Sequence, residues 1–413
     1  MSVAERSGLA LAANVLGVGA LFLPWTVTAS FGPAALIGWG YHLLAGGLLV
    51  ATLANLASAG GTGGGAVGLI GTALGELPGK VIRACYVIGI TAGQAVVSLV
   101  AAGFAVQALG LATAGNAARA TAWIAAGLLA MSAALAWRQL TVAALVLLGV
   151  EVVLLAATVL VAATAKEVAS AGPTLSASTI GGAVAIQCFA VVGWESAARP
   201  AATRPASEAG RARWLGPLGG VFVVGLLYGS VLVAARTMAT DHAAPGLALP
   251  VLSGSGAGRA VAAAMALVAG LFCARNIRTA AVLAMGLADA ELRPRALVAT
   301  AAALAAVATV GVALVGTGRL TATAVLTVPN AMACAVFLLA GVAAMTAGRQ
   351  RLLAGMAVVA YLPVVGFLGA LAFVPPAAGA SSALPRLRRG WRQRMGNQPE
   401  PGATGGFAEM DGE

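Results

Sequence analysis

Charged residues are scarce in this chain of 413 residues: Asp, Glu, Lys and Arg make up 9% of it, against 60% hydrophobic residues. Soluble domains carry about 25% charged residues, because a surface that faces water needs them. The scarcity therefore excludes a soluble enzyme, and it excludes a disordered chain, which would be polar and charge-rich. A polytopic membrane protein remains, and the mean hydropathy of +0.95 agrees with it.

Histidine and cysteine are also rare, with two and four copies. The cysteines stand apart in apolar stretches without C-x-x-C spacing, which predicts buried small hydrophobes and neither a disulfide framework nor a metal site. His42 is read as a satisfied buried side chain in preference to a proton relay. A membrane-embedded enzyme would need clustered His, Asp or Cys ligands, so we expect no enzyme and no cofactor. The glycine run 60–65 lacks the G-K-[ST] of a phosphate loop, which argues against ATP-driven transport.

Apolar runs bounded by Gly, Pro and Arg predict eleven or twelve spans in one transmembrane domain over residues 1–380. The final apolar stretch is one span or two short spans that break near Pro363 or Gly366. Two spans are favoured, because they place the basic tail in the cytoplasm. The tail over 381–413 is predicted to be basic and then disordered, and to bind the anionic leaflet in preference to nucleic acid. The predicted helices are 8–30, 33–57, 81–110, 119–137, 139–164, 180–200, 214–236, 259–288, 296–316, 322–346 and the stretch 351–380.

The loop charges predict the orientation. Most loop arginines fall on one side of the predicted topology, the side that carries the amino terminus. Because cytoplasmic loops collect Lys and Arg, we expect a multi-pass plasma-membrane protein with a cytoplasmic amino terminus. This rule also explains the net charge of +11, which in a soluble protein would indicate nucleic acid.

Two blocks of five spans fill residues 8–164 and 180–346, and the first helix of each block is interrupted. Five is an odd number, so the second block enters the membrane from the opposite side, as in an inverted repeat. Gly17-Val18-Gly19 interrupts the first span, and Val192-Gly193-Trp194 interrupts the sixth, with Glu195 next. Half-helix ends can bind a carboxylate and an ammonium group, so the paired breaks predict a site for a small zwitterion. The alternative is that the glycines only allow close helix packing.

At these residues the sequence resembles the amino acid–polyamine–organocation (APC) permeases, which have the LeuT-type five-plus-five fold. The stretch 17–24 is similar to the first-helix motif G-x-G-[IVA]-F-x-x-P, with Phe one position late. Residues 58–75 resemble the loop S-A-G-G…G-x-x-x-G, and 189–196 resemble the sixth-span signature F-x-x-x-G-x-E-S. The stretch from Asn276 to Pro294 resembles the end of the eighth span. The short length is most like the branch of small neutral-amino-acid exporters, for methionine and branched-chain substrates.

The resemblance implies a substrate site and a proton site. The backbone at Gly17, Val18 and Gly19 would receive the substrate carboxylate, and carbonyls at Ala190, Val192 and Gly193 would receive its ammonium. Trp194 would approach or cap the substrate, and Phe189 belongs to the same signature. Glu195 would sense protons, since a carboxylate in a low dielectric can exchange a proton near physiological pH.

Other polar residues at membrane depth have two interpretations each. Glu151, in the fifth span, is a second proton site or a structural partner of Arg275 or Arg278, of which Arg275 is read as structural. Gln94 and Ser98 line a cavity or bond neighbouring helices.

The function predicted is a secondary active transporter that moves neutral amino acids by alternating access. Proton coupling is favoured, and efflux as an antiporter is favoured over uptake. Its partners are the amino acid, protons and the lipid bilayer, and the oligomeric state stays open. Transport of another small amine or organic cation on the same fold is the main alternative, followed by a channel or sensor.

Overall fold

The computed structural model describes residues 3–57, 65–111, 117–138, 144–164, 174–194, 209–238, 252, 255–347 and 351–368. Every long regular element within these ranges is an α-helix. The helices are α1 (Val3–Phe31), α2 (Ala34–Ala57), α3 (Gly65–Leu74), α4 (Glu76–Ala108), α5 (Ala117–Ala134), α6 (Ala144–Thr164), α7 (Ala177–Gln187), α8 (Ala209–Met238), α9 (Gly256–Leu287), α10 (Pro294–Gly316), α11 (Ala322–Thr346) and α12 (Arg351–Leu368).

Several helices begin at residues suited to that position. Ser176, Ser255 and Thr321 precede α7, α9 and α11, and each hydroxyl accepts a hydrogen bond at 3.0–3.1 Å from the backbone N–H three residues later. Pro294 starts α10, where its missing N–H costs nothing. These caps satisfy donors that a helix otherwise leaves unpaired.

Ten of the described helices are long and apolar enough to cross a membrane, and α7 with the 3-10 turn that follows it forms a shorter apolar stretch, Ala177–Ala190. Large apolar side chains point outward, such as Leu44, Leu267 and Leu352, which are 74–79% exposed. Such a surface suits lipid and not water. α1, α4 and α11 are mostly buried, whereas about a fifth of α5 and of α10 is buried. The bundle therefore has an inner set of helices, with α1, α4 and α11 at its centre.

The contacts between helices are those of an inverted repeat. If α1, α2, α4, α5 and α6 correspond to α7, α8, α9, α10 and α11, several contacts have a counterpart in the other half. α1 contacts α8 and α7 contacts α2; α4 contacts α10 and α9 contacts α5; α4 contacts α11 and α9 contacts α6. The equivalent pairs α4–α9 and α5–α10 also contact each other. The predicted five-plus-five architecture is present.

Two features differ from the prediction. The segment between the predicted helices 33–57 and 81–110 was expected to be a loop, but it contains a helix, α3. Residues 58–64, which precede α3, lie outside the described residues. α12 runs from Arg351 through Pro363 and Gly366 to Leu368, so the break predicted near Pro363 is wrong. A proline removes one N–H from a transmembrane helix, and the helix can continue when neighbouring groups compensate. Residues 369–413, with the predicted tail, lie outside the described residues.

Candidate functional site

The first break lies in the middle of α1. Gly17 has φ 38° and ψ −162°, which are not helical angles, and helix continues on both sides of it. Only glycine adopts this conformation at low cost. The ring of Phe272, from α9, lies 3.7 Å from where a Cβ on Gly17 would be. The break predicted from Gly17-Val18-Gly19 is therefore present and faces α9.

The second break ends α7 early. α7 stops at Gln187, a 3-10 turn covers Cys188–Val191, Val192 is extended (φ −62°, ψ 120°), and Gly193 has φ 123°. A non-glycine residue at this φ would be strained. The sixth span is thus interrupted as predicted, although the interruption begins at Cys188, four residues before Val192.

The two breaks lie against each other. A Cβ on Gly193 would come within 2.7 Å of the carbonyl oxygen of Asn14, one turn before the break in α1. A Cβ on Gly19 would lie 3.5 Å from the Cα of Ala190. Backbone meets backbone here, so the irregular segments of both repeats form one unit.

Side chains from other helices hold the end of α7. The last carbonyls of a helix have no partner within it and need other donors. Nε2 of His42, from α2, lies 2.7 Å from the carbonyl oxygen of Val184. Nδ2 of Asn330, from α11, donates to the carbonyl oxygen of Ala185 at 2.7 Å. His42 is buried as predicted, and its Nε2 has a partner in this contact, whereas its Nδ1 has none among the described residues. The early end of α7 is stabilised by these contacts from α2 and α11.

A cavity of about 760 Å³ opens beside the two breaks. It is lined by α1, α3, α4, the turn after α7, α9 and α11, and it extends from Gly17 and Gly193 to Gly65 in α3 and Leu283 in α9. Counting crossings, α3 lies on the side of the membrane where α1 begins. The volume is within the roughly 300–1,000 Å³ that is usual for small-molecule sites.

Six of the eight substrate residues predicted from the sequence line this cavity: Gly17, Val18, Gly19, Phe189, Val192 and Gly193.

Ala190 and Trp194 do not line it. Ala190 is buried against α1. Trp194 is fully buried, and its ring faces α2, because a Cβ on Gly46 would lie 2.9 Å from Cε2 of that ring. The prediction that Trp194 approaches the substrate therefore does not fit this structure, in which the Trp194 ring packs between helices.

The cavity has polar walls that the sequence identified only in part. Gln94 lines it as one interpretation predicted, whereas Ser98 is fully buried and donates to the carbonyl oxygen of Ala95 at 3.0 Å. Asn14, Tyr86, Asn276 and Thr279 add polar groups. The sequence placed Asn276 in the motif at the end of the eighth span without a role in the site, and it did not identify Asn14, Tyr86 or Thr279, whose spacing matches no motif.

Arg275 is the only formally charged side chain among the described residues of the cavity wall. Its guanidinium lies 5.7 Å from the centre of the Phe272 ring, which in turn lies against Gly17. Arg275 was predicted to have only a structural role, but its side chain also forms part of the cavity wall. An arginine inside an apolar span was the signal that could have indicated a site.

The two predicted proton sites differ in position. Glu151 is fully buried in α6, away from the cavity wall, and its two carboxylate oxygens have no hydrogen-bond partner among the described residues. Glu195 follows Trp194 directly and lies outside the described residues.

Two of the four cysteines are close together. Sγ of Cys188, in the turn after α7, lies 3.6 Å from Sγ of Cys334 in α11, and all four cysteines are free and buried. The residues that the structure describes contain no cluster of three or more His, Cys, Asp or Glu able to hold a metal ion.

No family model and no curated protein matches the chain. Among solved structures, it is similar to a manganese transporter of Eremococcus coleocola, solved as a mutant in which one histidine is replaced by alanine. The TM-score is 0.52 at 14% identity, and the match covers 94% of this chain and 93% of the transporter. That transporter has the LeuT-type fold, so the predicted fold class is confirmed. Membership of the APC permeases stays a prediction.

Proposed function

We propose that the protein is a secondary active transporter that moves neutral amino acids across the plasma membrane by alternating access, coupled to protons. The observation that carries this proposal is the meeting of two broken helices at one cavity whose described wall holds a single formal charge, that of Arg275. The fold is that of a transporter. A cavity that reaches from mid-membrane toward one face is what alternating access requires of each end state.

The groups around the cavity match a zwitterion with an apolar side chain. The break at Gly17 frees backbone groups at the start of a half-helix, where a carboxylate is favoured. The turn after α7 offers further backbone carbonyls to an ammonium group. Val18, Phe189 and Val336 provide apolar contacts. A neutral amino acid carries each of these three features.

The charge of the wall argues against the organic-cation alternative. Arg275 repels a cation, and the described wall contains no acid that would offset this repulsion. Methionine or a branched-chain amino acid, each with no net charge, meets no such penalty. Glu195, which directly follows the turn, is the group that we propose for proton exchange at the site.

Transport of a metal ion is the second candidate, because the similar solved structure is a manganese transporter. Asn14, Cys85 and Met332 could supply oxygen and sulfur ligands. Manganese prefers carboxylate and water oxygens, however, and the described wall has no carboxylate and one positive charge. The wall therefore favours the amino acid.

Counterflow in proteoliposomes tests the proposal. Vesicles loaded with unlabelled L-leucine or L-methionine should accumulate the labelled compound transiently, whereas L-arginine and Mn²⁺ should not exchange. If only Mn²⁺ accumulates, the substrate is the metal ion and not an amino acid. Passive flux without exchange would indicate a channel and contradict the proposal.

A further inference from the structure

We infer that Arg275 binds the substrate carboxylate and that Glu151 is its counter-ion in the empty cavity, so that substrate and proton bind together and move in the same direction. This inference rests on the proposed function. It changes the predicted direction of coupling, because it implies uptake by symport in place of efflux by antiport.

Arg275 has the position and the free donors for this role. It lies on the cavity wall beside Phe272, whose ring adjoins the break at Gly17. Two ion pairs occur among the described residues, Lys80–Glu76 and Arg293–Glu291, and neither includes Arg275. A guanidinium has five N–H donors in a planar fork that fits a carboxylate with two parallel bonds. A ligand carboxylate in the cavity would meet these donors.

Glu151 is placed to feel what happens to Arg275. It is fully buried, and its oxygens lack hydrogen-bond partners within the described parts of the chain. The helices packed against α6 are α1, α8 and α9. The described side chains of α1 include no acid, base or histidine. The charged or titratable described side chains on the other two helices are Tyr228, Arg236, Arg259, Cys273, Arg275 and Arg278.

Of the charged groups on α9, Arg275 lies closest to the level of Glu151. The Thr158 hydroxyl in α6 lies 3.8 Å from the sulfur of Met265 in α9, and these two helices, as the fifth and eighth spans, cross the membrane in opposite directions. Glu151 lies two turns before Thr158, and Phe272, whose ring the Arg275 guanidinium approaches, lies two turns after Met265.

The positive charge of Arg275 thus compensates Glu151 in the empty cavity and the substrate carboxylate in the loaded cavity. In the empty cavity, the charge of Arg275 offsets that of Glu151. When the substrate carboxylate binds Arg275, the charge on Glu151 loses this compensation, and an uncompensated charge in a low dielectric is costly. Glu151 then takes a proton from solution and becomes a neutral acid. The Arg275 pair has zero net charge in both states, first with Glu151 and then with the substrate.

The coupling has a definite sign. Because substrate favours the proton on Glu151, the proton must favour the substrate by the same factor. Both are then bound in the loaded state and both leave after the cavity opens to the other side. A proton gradient directed into the cell would therefore drive uptake.

The experiment measures protons directly. Purified protein in weakly buffered detergent solution is mixed with L-leucine, and a pH-indicator dye follows the proton balance. We expect proton uptake on binding, and a Kd that tightens as the pH falls, by up to about tenfold per pH unit for one linked proton. Proton release, or no change, would overturn the inference. This measurement needs no variant.

Variants assign the two roles. Glu151→Gln should bind L-leucine with no proton uptake and a pH-independent Kd, whereas the exposed control Glu76→Gln should behave as wild type. Arg275→Gln should lose the preference for L-leucine over leucinamide, which lacks the carboxylate, and Arg275→Lys should recover part of it. If the pH dependence survives in Glu151→Gln and disappears in Glu195→Gln, the linked proton belongs to Glu195 and the assignment is wrong.

The outcomes separate this inference from the proposed function. If neither L-leucine nor L-methionine binds the wild-type protein, the proposed function fails and takes the inference with it. If they bind without proton uptake, the function stands and only the inference is overturned.

Discussion

Replacing Gly193 by alanine should weaken substrate binding strongly, because two separate costs fall on the same residue. The backbone at Gly193 has φ 123°, and a Cβ there would lie 2.7 Å from the carbonyl oxygen of Asn14. Strained backbone conformations cost about 1–3 kcal/mol each. The contact adds to this cost, since the obstacle is backbone and cannot rotate away.

The expected change in Kd depends on the fraction of molecules in which the breaks in α1 and after α7 remain in contact. If about 1–3 kcal/mol is added to that conformation alone, the competent fraction falls and the apparent Kd rises by about 5- to 150-fold. Binding of labelled L-leucine by scintillation proximity would measure this change. Thermal unfolding in detergent would show that the variant still folds.

Two matched variants separate the causes. Gly318→Ala places alanine at φ 70° with no atom within 4 Å, so it carries backbone strain without a steric contact and lies outside the cavity. Gly149→Ala, in α6, carries neither cost. Both should bind L-leucine as wild type does. Wild-type affinity in a folded Gly193→Ala protein would refute this reasoning. It would show that the contact between the two helix breaks is not part of the substrate site.

Three further changes test the surroundings of the site. Trp194→Phe should lower the Tm, because packing against Gly46 worth on the order of 1 kcal/mol is lost. The Kd for L-leucine should stay within about twofold of wild type, because the ring faces away from the cavity. A large change in Kd with an unchanged Tm would instead support the substrate-capping role of Trp194. Asn330→Ala should cost about 1–3 kcal/mol of stability, visible as a lower Tm, since the carbonyl of Ala185 loses its donor. Asn330→Asp, which cannot donate as a carboxylate, should cost at least as much, because it also buries a charge at this fully buried position. Glu195→Gln should leave the pH dependence of L-leucine binding, which is assigned to Glu151, unchanged, and should flatten the pH dependence of the transport rate. An unchanged transport profile would remove Glu195 from proton exchange.

The helix breaks were predictable because they have a local cause. Gly17 and Gly193 adopt φ values that other residues avoid, and glycine in an apolar span at matched positions of two repeats is visible in sequence. The number and order of the long helices follow from hydropathy in the same way. Both signals depend on single residues and their immediate neighbours.

Other features depend on contacts between distant segments and escaped prediction. The direction of the Trp194 ring is decided by the space that Gly46 leaves in α2. The early end of α7 depends on His42 and Asn330, which lie far from it in the sequence. Nothing near Arg275 in the sequence distinguishes an arginine on a cavity wall from one that pairs with an acid.

The scarcity of charge also determines selectivity. Two unit charges about 8 Å apart at an effective dielectric constant near 20 interact with about 2 kcal/mol, which corresponds to a factor of about 30 in affinity. Arg275 thus disfavours any cation in the cavity by up to about this degree, because Glu151, its proposed counter-ion, lies behind the wall and offsets the charge only in part. L-arginine matches leucine in its backbone groups and differs by one positive charge. We therefore expect L-arginine to bind more weakly than L-leucine by up to about 30-fold, and Arg275→Gln to reduce this difference in Kd. Equal binding of the two amino acids by the wild-type protein would show that the charge of Arg275 does not reach the bound substrate.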